Sequence, residues 1–342
     1  MQFSHFFLSA QATLGDMPRA AIIFNPTKIE RADLEKVIEP ARTEAGWDDA
    51  LWLETAVDDP GIGMAKEAIE AGVDVVLAVG GDGTIRAVAE GLRGSDVPLA
   101  LAPQGTGNLL ARNLELTLDN LPTSVDAMFH GQPRPVDLGV AIWTRPNGEE
   151  ETSAFVVAAG VGLDAQIMST TDEELKKKVG MLAYVKAGIE ALRSNHRMRL
   201  QYKIDDEPAH RARLHTILVG NCGSIGGNVL LLPDAAVDDG VLDVVAVQPQ
   251  GILGWPRVAW KILVDNWILR RTDSELVRKQ RDKGRELSYR QLRSIEITFQ
   301  KPEEIELDGD HFGEVQTVRV SVEPGGLRVM MPKDWSPDDK AA

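Results

Sequence analysis

A wound α/β domain followed by a sandwich-like β domain is the fold class this sequence predicts, on three observations. Apolar strand-type runs alternate with helix-period segments from Arg19 to His130, the pattern of a parallel sheet covered by helices on both faces. The alternation stops at "GQPRPVDLG", where Pro133 and Pro135 follow in quick succession. Strand-type runs then dominate as far as Met331.

The elements follow in order. "RAAIIFNP" (Arg19 to Pro26) is a short β-rich run stopped by Asn-Pro, a turn signal. The residues before Met17 show no clear period, so 1–18 are expected as a flexible extension, with Met17 an alternative start. A helix is predicted from Ala32 to Ala45. "DALWLET" reads as a strand, "GMAKEAIEAG" as a helix closing on Gly72, and "DVVLAVGG" as a buried strand. "IRAVAEGLRG" sets Ile85, Val88, Ala89 and Leu92 on one helical face. "VPLALAPQGTGNLLARNL" repeats the plan of strand, glycine-rich break and helix.

Beyond the prolines, the strand-type runs are "VDLGVAIW", "SAFVVAAG", "RLQYKI", "RLHTILVG", "LDVVAV", "RSIEITF", "EIELDGD", "TVRVSV" and "LRVMM". "PNGEE" between the first two is a hairpin signal. Helix patterns cover Glu173 to Ser194 and Gly254 to Arg281. The expected division is an α/β domain over 19–133, a β domain over 134–323, a return of 324–335 to the first domain, and a disordered tail over 336–342.

Composition narrows the function classes. A hydrophobic share of 43% supports a sizeable core and excludes a disordered chain. No apolar run reaches the ~18 residues of a membrane-spanning helix, and "FSHFFLSA" lacks the positive flank of a secretory signal. A single cysteine, Cys222, excludes an internal disulfide and a cysteine-rich zinc site. The six histidines show no metal-ligand spacing. A net charge of -15 argues against a nucleic-acid binder. The charge is uneven: Gly251 to Lys301 holds twelve Lys/Arg against six Asp/Glu, and Lys176 to Arg199 is also basic. These features fit a cytoplasmic protein.

The two glycine-rich breaks are the chemical signal. "GGDGT" (Gly80 to Thr84) and "PQGTGN" (Pro103 to Asn108) each stand at a strand end just before a helix. Backbone N–H groups at a helix mouth bind phosphate, and glycine lets the backbone come close. In wound sheets such sites lie at the carboxyl ends of the strands. Neither loop is a P-loop or a dinucleotide fingerprint. Together, Gly80, Gly81, Asp82, Gly83 and Thr84 with Gly105, Thr106, Gly107 and Asn108 have the composition to enclose a triphosphate. Thr84 and Thr106 add hydroxyls. Asp82 has three readings: a helix-entrance Asp, a holder of Mg²⁺–ATP, or a base for an acceptor hydroxyl.

"VVLAVGGDGTIRAVAEGL" followed by "LALAPQGTGNLLARNL" resembles the diacylglycerol kinase catalytic domain shared by bacterial and eukaryotic lipid kinases. Asn-Pro after the first strand, Thr55, "FVVAAGVGLDA", "VGNCGSIGGNVLLLPDAAVDDGVLDVVAV" and "IELDGD" have family counterparts in the same order, from Arg19 to Met331. The resemblance implies an ATP- and Mg²⁺-dependent lipid kinase of NAD kinase/diacylglycerol kinase-like fold, with the lipid entering between the domains. It implies a nucleotide site at Asn25, Thr55, Gly80 to Arg86 (Ile85 included) and Gly105 to Asn108. By the same resemblance Asp239, with the carbonyls of Ala236 and Val241, forms a structural Mg²⁺ site, against a plain turn as the alternative. Asp308 and Asp310 become catalytic candidates, Asp310 as general base, against a hairpin turn of the kind Asp-Gly favours.

The chain departs from the family pattern in places. Asp310 stands where the family usually has Glu, Arg86 where many members have Asn, Leu109 where many bacterial members have Asp, and "NPTKIE" lacks a glycine-rich turn. These differences set the chain in a subgroup of the family and leave the acceptor open between diacylglycerol and a related lipid. "GWPRVAWKILVDNWILRR" places Trp255, Trp260 and Trp267 among basic residues, suited either to a membrane interface or to the second domain's core. "LKKKVGMLAYVKAGIEAL" reads as a core-facing helix or as a lining of the lipid entrance. The expected setting is the cytoplasm, peripheral to the inner face of the membrane, with a lipid substrate, no nucleic acid and room for a homodimer. A soluble acceptor as in NAD kinase, or a catalytically silent binding protein, are the alternatives.

Overall fold

The structure, a computed structural model, describes residues 17–162, 197–225, 230–248, 258, 260 and 287–335. The helices predicted over 173–194 and 254–281 lie outside these residues, except Val258 and Trp260, as do the expected tail and all of the expected extension but Met17 and Pro18.

Four parallel strands open the chain: β1 (Ala20–Phe24), β2 (Leu51–Glu54), β3 (Val75–Gly80) and β4 (Leu99–Pro103), in spatial order β4-β3-β1-β2. Every residue of β1, β3 and β4 is buried, as parallel strands between two helical layers require. Alternation along β1 divides the layers. Ile22 and Phe24 pack with Leu34 and Ile38 of α1 (Arg31–Ala45) and with Val125 and Met128 of α5 (Leu121–His130). Ala21 and Ile23 pack with Ala65 and Ala68 of α2 (Ile62–Glu70) and with Ile85 and Val88 of α3 (Asp82–Leu92). α1 ends on Gly46, whose φ of 72° is left-handed, as a glycine C-cap favours.

Three expected boundaries moved. α3 starts at Asp82 rather than Ile85, so most of "GGDGT" forms the first turn of the helix itself. The helix after the second loop, α4 (Leu109–Asn113), has only five residues. The prolines do not precede the next strand but lie inside it, in β5 (Gln132–Thr144). There Pro133 and Pro135 pair only with Met330 and Arg328 of β14 (Asp310–Met331); β6 (Glu150–Phe155) joins β5 from Gly139 onward. The prolines thus occupy a stretch with one neighbour, where a missing N–H breaks no ladder. The "PNGEE" hairpin forms between β5 and β6.

"SAFVVAAG" splits into β6 and β7 (Ala158–Val161), and "RLHTILVG" into β9 (His210–Leu214) and β10 (Thr216–Gly220). β8 (Met198–Ile204) and β11 (Leu242–Val247) follow expectation. β12 (Leu287–Leu292) was not anticipated, since its exposed Arg290 and Gln291 obscure the alternation. β13 (Ser294–Leu307) and β14 are long and paired through two irregularities. The sandwich core gathers Trp143, Phe155, Leu200, Val219, Phe299, Val318 and their neighbours.

β14 joins the two domains. Its first part pairs with β13 and β5 in the sandwich; after an irregularity between Glu323 and Leu327, Val329 pairs parallel with Leu99 of β4. Gly325, at φ 60°, makes that bend.

Candidate functional site

The four parallel strands deliver the predicted loops to one edge. The chain runs from β1 to β2 on one side and then to β3 on the other, so the switch point lies between β1 and β3, the position where wound sheets bind ligands. Asn25 continues the ladder there, its N–H donating to Val79 O at 3.0 Å. Thr55, buried after β2, donates its N–H to Phe24 O at 2.9 Å.

The two glycine loops pack against each other. Gln104 N–H donates to Gly80 O at 2.8 Å. A β-carbon on Gly105 would lie 2.9 Å from Gly81 Cα, and one on Gly107 would lie 2.4 Å from Asp82 Oδ2. One on Gly80 would meet Thr84 Cβ at 2.6 Å. The bare backbone at these three positions is therefore required by close packing. A β-carbon on Gly81 would make only an ordinary contact, with Gly105 Cα at 3.7 Å, and one on Gly83 would face only Asp310.

Asp82 holds the arrangement together. Its Oδ2 accepts from Asn108 N–H at 2.9 Å and its Oδ1 from Leu109 N–H at 2.6 Å, so it caps α4 rather than its own helix. Asn108, buried and left-handed at φ 49°, closes the second loop: Oδ1 accepts from Gly105 N–H at 2.9 Å and Nδ2 donates to Gly105 O at 2.8 Å. No side chain caps α3, and its first internal bond is Ile85 N–H to Gly81 O at 3.0 Å. The N–H groups of Asp82, Gly83 and Thr84 thus lie at a helix mouth that favours an anion. Thr106 is exposed beside them; Thr84 and Ile85 are buried, and Ile85 packs in the core.

A carboxylate of the second domain completes the site. β13 and β14 are joined by a two-residue turn, Asp308-Gly309, with φ 51° and 90°, the left-handed pair that Asp-Gly supplies. The turn sends Asp310 to the mouth of α3, where a β-carbon on Gly83 would lie 3.3 Å from its Oδ2. Arg86, one turn along α3 and only 5% exposed, donates through Nε to Asp310 Oδ2 at 3.0 Å. The same guanidinium meets Glu90 Oε2 at 3.1 Å and Ser153 Oγ at 3.3 Å, and stacks 5.0 Å from the Phe312 ring. Arg86 therefore faces the second domain. Asp310 keeps a 46% exposed side chain.

Asp308 is placed differently. It is buried, with Oδ2 accepting from Val156 N–H and Oδ1 from the N–H groups of Val157 and Ala158, each at 2.8 Å. This carboxylate takes the place of a strand partner and explains the break between β6 and β7. Burial pushes it up to about 6, although the three backbone donors pull the other way. Neighbouring Cys222 is buried, and its thiol is pushed up by burial and then by Asp308. His311, beside the turn, lies 3.2 Å from Glu306, whose carboxyl burial raises.

The "AAVDDG" segment precedes β11. Asp239 Oδ1 accepts from Val241 N–H at 3.2 Å; burial raises its carboxyl, and Asp137 and Asp238 raise it further. Asp238 pairs with Arg134, and Asp137 spends its oxygens on Gly240 N–H at 2.6 Å and Gly325 N–H at 2.8 Å. Asp239 thus carries negative charge with no protein cation beside it among the described residues. One carboxylate, with carbonyls such as those of the neighbouring residues Ala236 and Val241 in sequence, has the chemistry of a hard-cation site that keeps water ligands. The described residues hold no cluster of three or more His, Cys, Asp or Glu suited to a metal.

The sequence reading missed Glu90, Ser153, Phe312 and Asp137. Glu90 was readable as the i,i+4 partner of Arg86, and Asp137 as an acid inside an apolar strand. Nothing local marks Ser153 or Phe312. Trp260 is 70% exposed; Trp255 and Trp267 lie outside the described residues. No described helix is long and apolar enough to cross a membrane.

Comparison with known proteins gives the same picture. Residues 19–141 match the profile of the diacylglycerol kinase catalytic domain, and 156–259 that of the YegS C-terminal NAD kinase beta sandwich-like domain. A diacylglycerol kinase of Bacillus subtilis is 28% identical over 323 residues, covering 93% of this chain and 98% of that protein. A "Probable lipid kinase YegS-like" protein of Pseudomonas aeruginosa is 31% identical over 295 residues, covering 85% and 87%. The crystal structure of a diacylglycerol kinase from Bacillus anthracis superposes with a TM-score of 0.62 at 19% identity, covering 94% of this chain and 98% of that one.

Proposed function

We infer the reaction from one premise: the chain belongs to the diacylglycerol kinase catalytic-domain family. On that basis we propose that it transfers the terminal phosphoryl group of Mg²⁺–ATP to a hydroxyl of diacylglycerol or a related lipid. The observation that carries this reading is the meeting of Asp310 with Gly83, an acid of one domain at the phosphate-binding mouth of the other.

The geometry supports the following roles. The uncapped N–H groups of Asp82 to Thr84 receive phosphate oxygens, while Asp82 fixes the second loop so that Thr106 and Gly107 close over them. The lipid hydroxyl enters beside Asp310, which accepts its proton as the oxygen bonds to the terminal phosphorus and ADP leaves. Arg86 holds one oxygen of Asp310 and leaves the other for that proton. Such reactions depend mainly on positioning and charge neutralisation. Asp239, with the carbonyls of Ala236 and Val241, would hold a structural Mg²⁺ that neutralises the acids around the start of β11.

The test is phosphate transfer from labelled ATP to mixed micelles of diacylglycerol, ceramide or sphingosine, beside a tube of soluble NAD. Label in the organic phase, lost in Asp310→Asn, is expected and identifies the acceptor. Label in NAD alone would replace the lipid by a soluble acceptor. ATP binding with no transfer to any acceptor would sink the kinase reading.

A further inference from the structure

The outer face of the β8–β9 hairpin carries an unexplained concentration of positive charge. Arg199 of β8 lies directly opposite Arg213 of β9, and Gln201 opposite Arg211. Like charges facing each other across two strands destabilise a hairpin, yet all three arginines are exposed. None has a side-chain hydrogen bond or ion pair with another described residue. They line a groove of about 990 Å³ together with Gln201, Gln248 and Gln300, and no acid lines it among the described residues. The nearest acid along β13, Glu296, is already paired with Arg319. This face stands on a chain whose net charge is -15.

We propose that this face docks the protein on an anionic lipid surface. The proposal rests on the lipid-kinase reading for its purpose, but not for its test. Charge complementarity selects the occupant: most of so acidic a chain is repelled by an anionic bilayer, and a cationic face without acids among the described residues is a part that is attracted. The arginines lie on two adjacent strands about 5 Å apart with neutral amides between them, an arrangement that meets several headgroups and encloses none. The groove is roughly 25–30 Å along β13 from the turn bearing Asp310, so docking leaves the reaction site unobstructed.

The experiment is co-sedimentation of the full chain, without ATP, with vesicles of phosphatidylcholine alone or with about a third phosphatidylglycerol. Three arginines predict a preference of about a hundred-fold for the anionic vesicles, largely lost at ~0.5 M salt. The double variant Arg211→Glu with Arg213→Glu should bind both vesicles alike, while Lys36→Glu, on the exposed face of α1, keeps the preference. Both variants should melt as the parent does, since the changed side chains are exposed. Equal parental binding to both vesicles, or a preference retained by the double variant, overturns the proposal. So does saturable binding of inorganic phosphate or of a labelled RNA that depends on Arg211 and Arg213 without vesicle preference. A chain that phosphorylates no lipid yet shows the Arg211-dependent preference separates this inference from the reaction assigned above.

Discussion

Asp308 and Asp310 stand two residues apart in one turn, Asp308 facing the buried backbone of Val156 to Ala158 and Asp310 facing the mouth of α3. Asp308 gives its oxygens to three backbone N–H groups. Asp82 and Asp137 do the same with two donors each. Asp310 alone of these four bonds to a side chain and stays half open to solvent. A carboxylate committed to fixed backbone donors shapes the chain; one that keeps an oxygen free and open to solvent can meet a substrate. The contrast predicts that loss of Asp310 removes activity without unfolding, whereas loss of the committed acids unfolds or loosens the protein. Asp310→Asn should lower kcat by about 10²–10⁴ in the labelled-ATP assay, with an unchanged thermal melt.

Arg86 is where the two behaviours meet. It is at least as buried as Asp308 and is held by Glu90, Ser153 and Asp310. Replacing it by Leu leaves Glu90 without its cation at the domain interface, so Arg86→Leu should cost about 3 kcal/mol in denaturant unfolding. Restoring neutrality with Arg86→Leu and Glu90→Leu together should recover part of that loss. A smaller loss for the single change than for the double would show that Arg86 is not what keeps Glu90 in place.

Much of the architecture was legible because its signals are local. Apolar periodicity marks the strands and helices of the first domain, and the adjacent glycines mark the loops at the strand ends. Asp-Gly marks the turn that presents Asp310. What stayed hidden depends on distance along the chain. Arg86 and Asp310 are 224 residues apart, and Asp308 is 150 or more from the donors it serves. No local pattern could show that "SAFVVAAG" breaks where a remote carboxylate replaces a strand, or that Gly105 is bare because Gly81 lies against it. The prolines misled for the same reason: their tolerance depends on β6 joining β5 only at Gly139.

The committed acid gives a prediction with a pH signature. Asp308→Asn removes one acceptor oxygen facing three donors and should destabilise the protein by about 2 kcal/mol. Burial raises the folded carboxyl to about 6 from an ordinary 3.8, so the native state holds a proton that the unfolded chain has released between those values. That contribution is fully present below the unfolded value and is lost as pH rises through 6. The stability gap between parent and Asp308→Asn should therefore widen as pH falls from 7 to 4, measured by urea unfolding at each pH. A gap that narrows over that range would mean the backbone donors outweigh burial.

The smallest expected effect is the most selective. A methyl group on Gly107 would sit 2.4 Å from Asp82 Oδ2, inside any tolerable contact, and Asp82 is the residue that joins the two loops. Gly107 lies at the surface end of its loop, so the strain can be relieved by displacing that loop rather than the sheet beneath. Gly107→Ala should cost about 1 kcal/mol or slightly more in stability. It should act on nucleotide first, weakening ATP binding several-fold by calorimetry while the affinity for lipid micelles holds. Gly81→Ala is the control, because its nearest neighbour would be Gly105 Cα at 3.7 Å, an ordinary contact. If the free protein tolerates Gly81→Ala and ATP affinity still falls, the space over Gly81 is space that phosphate uses. If Gly107→Ala leaves ATP binding untouched, then Asp82 joins the loops without shaping the nucleotide site, and it belongs with Asp308 and Asp137 as a purely structural carboxylate.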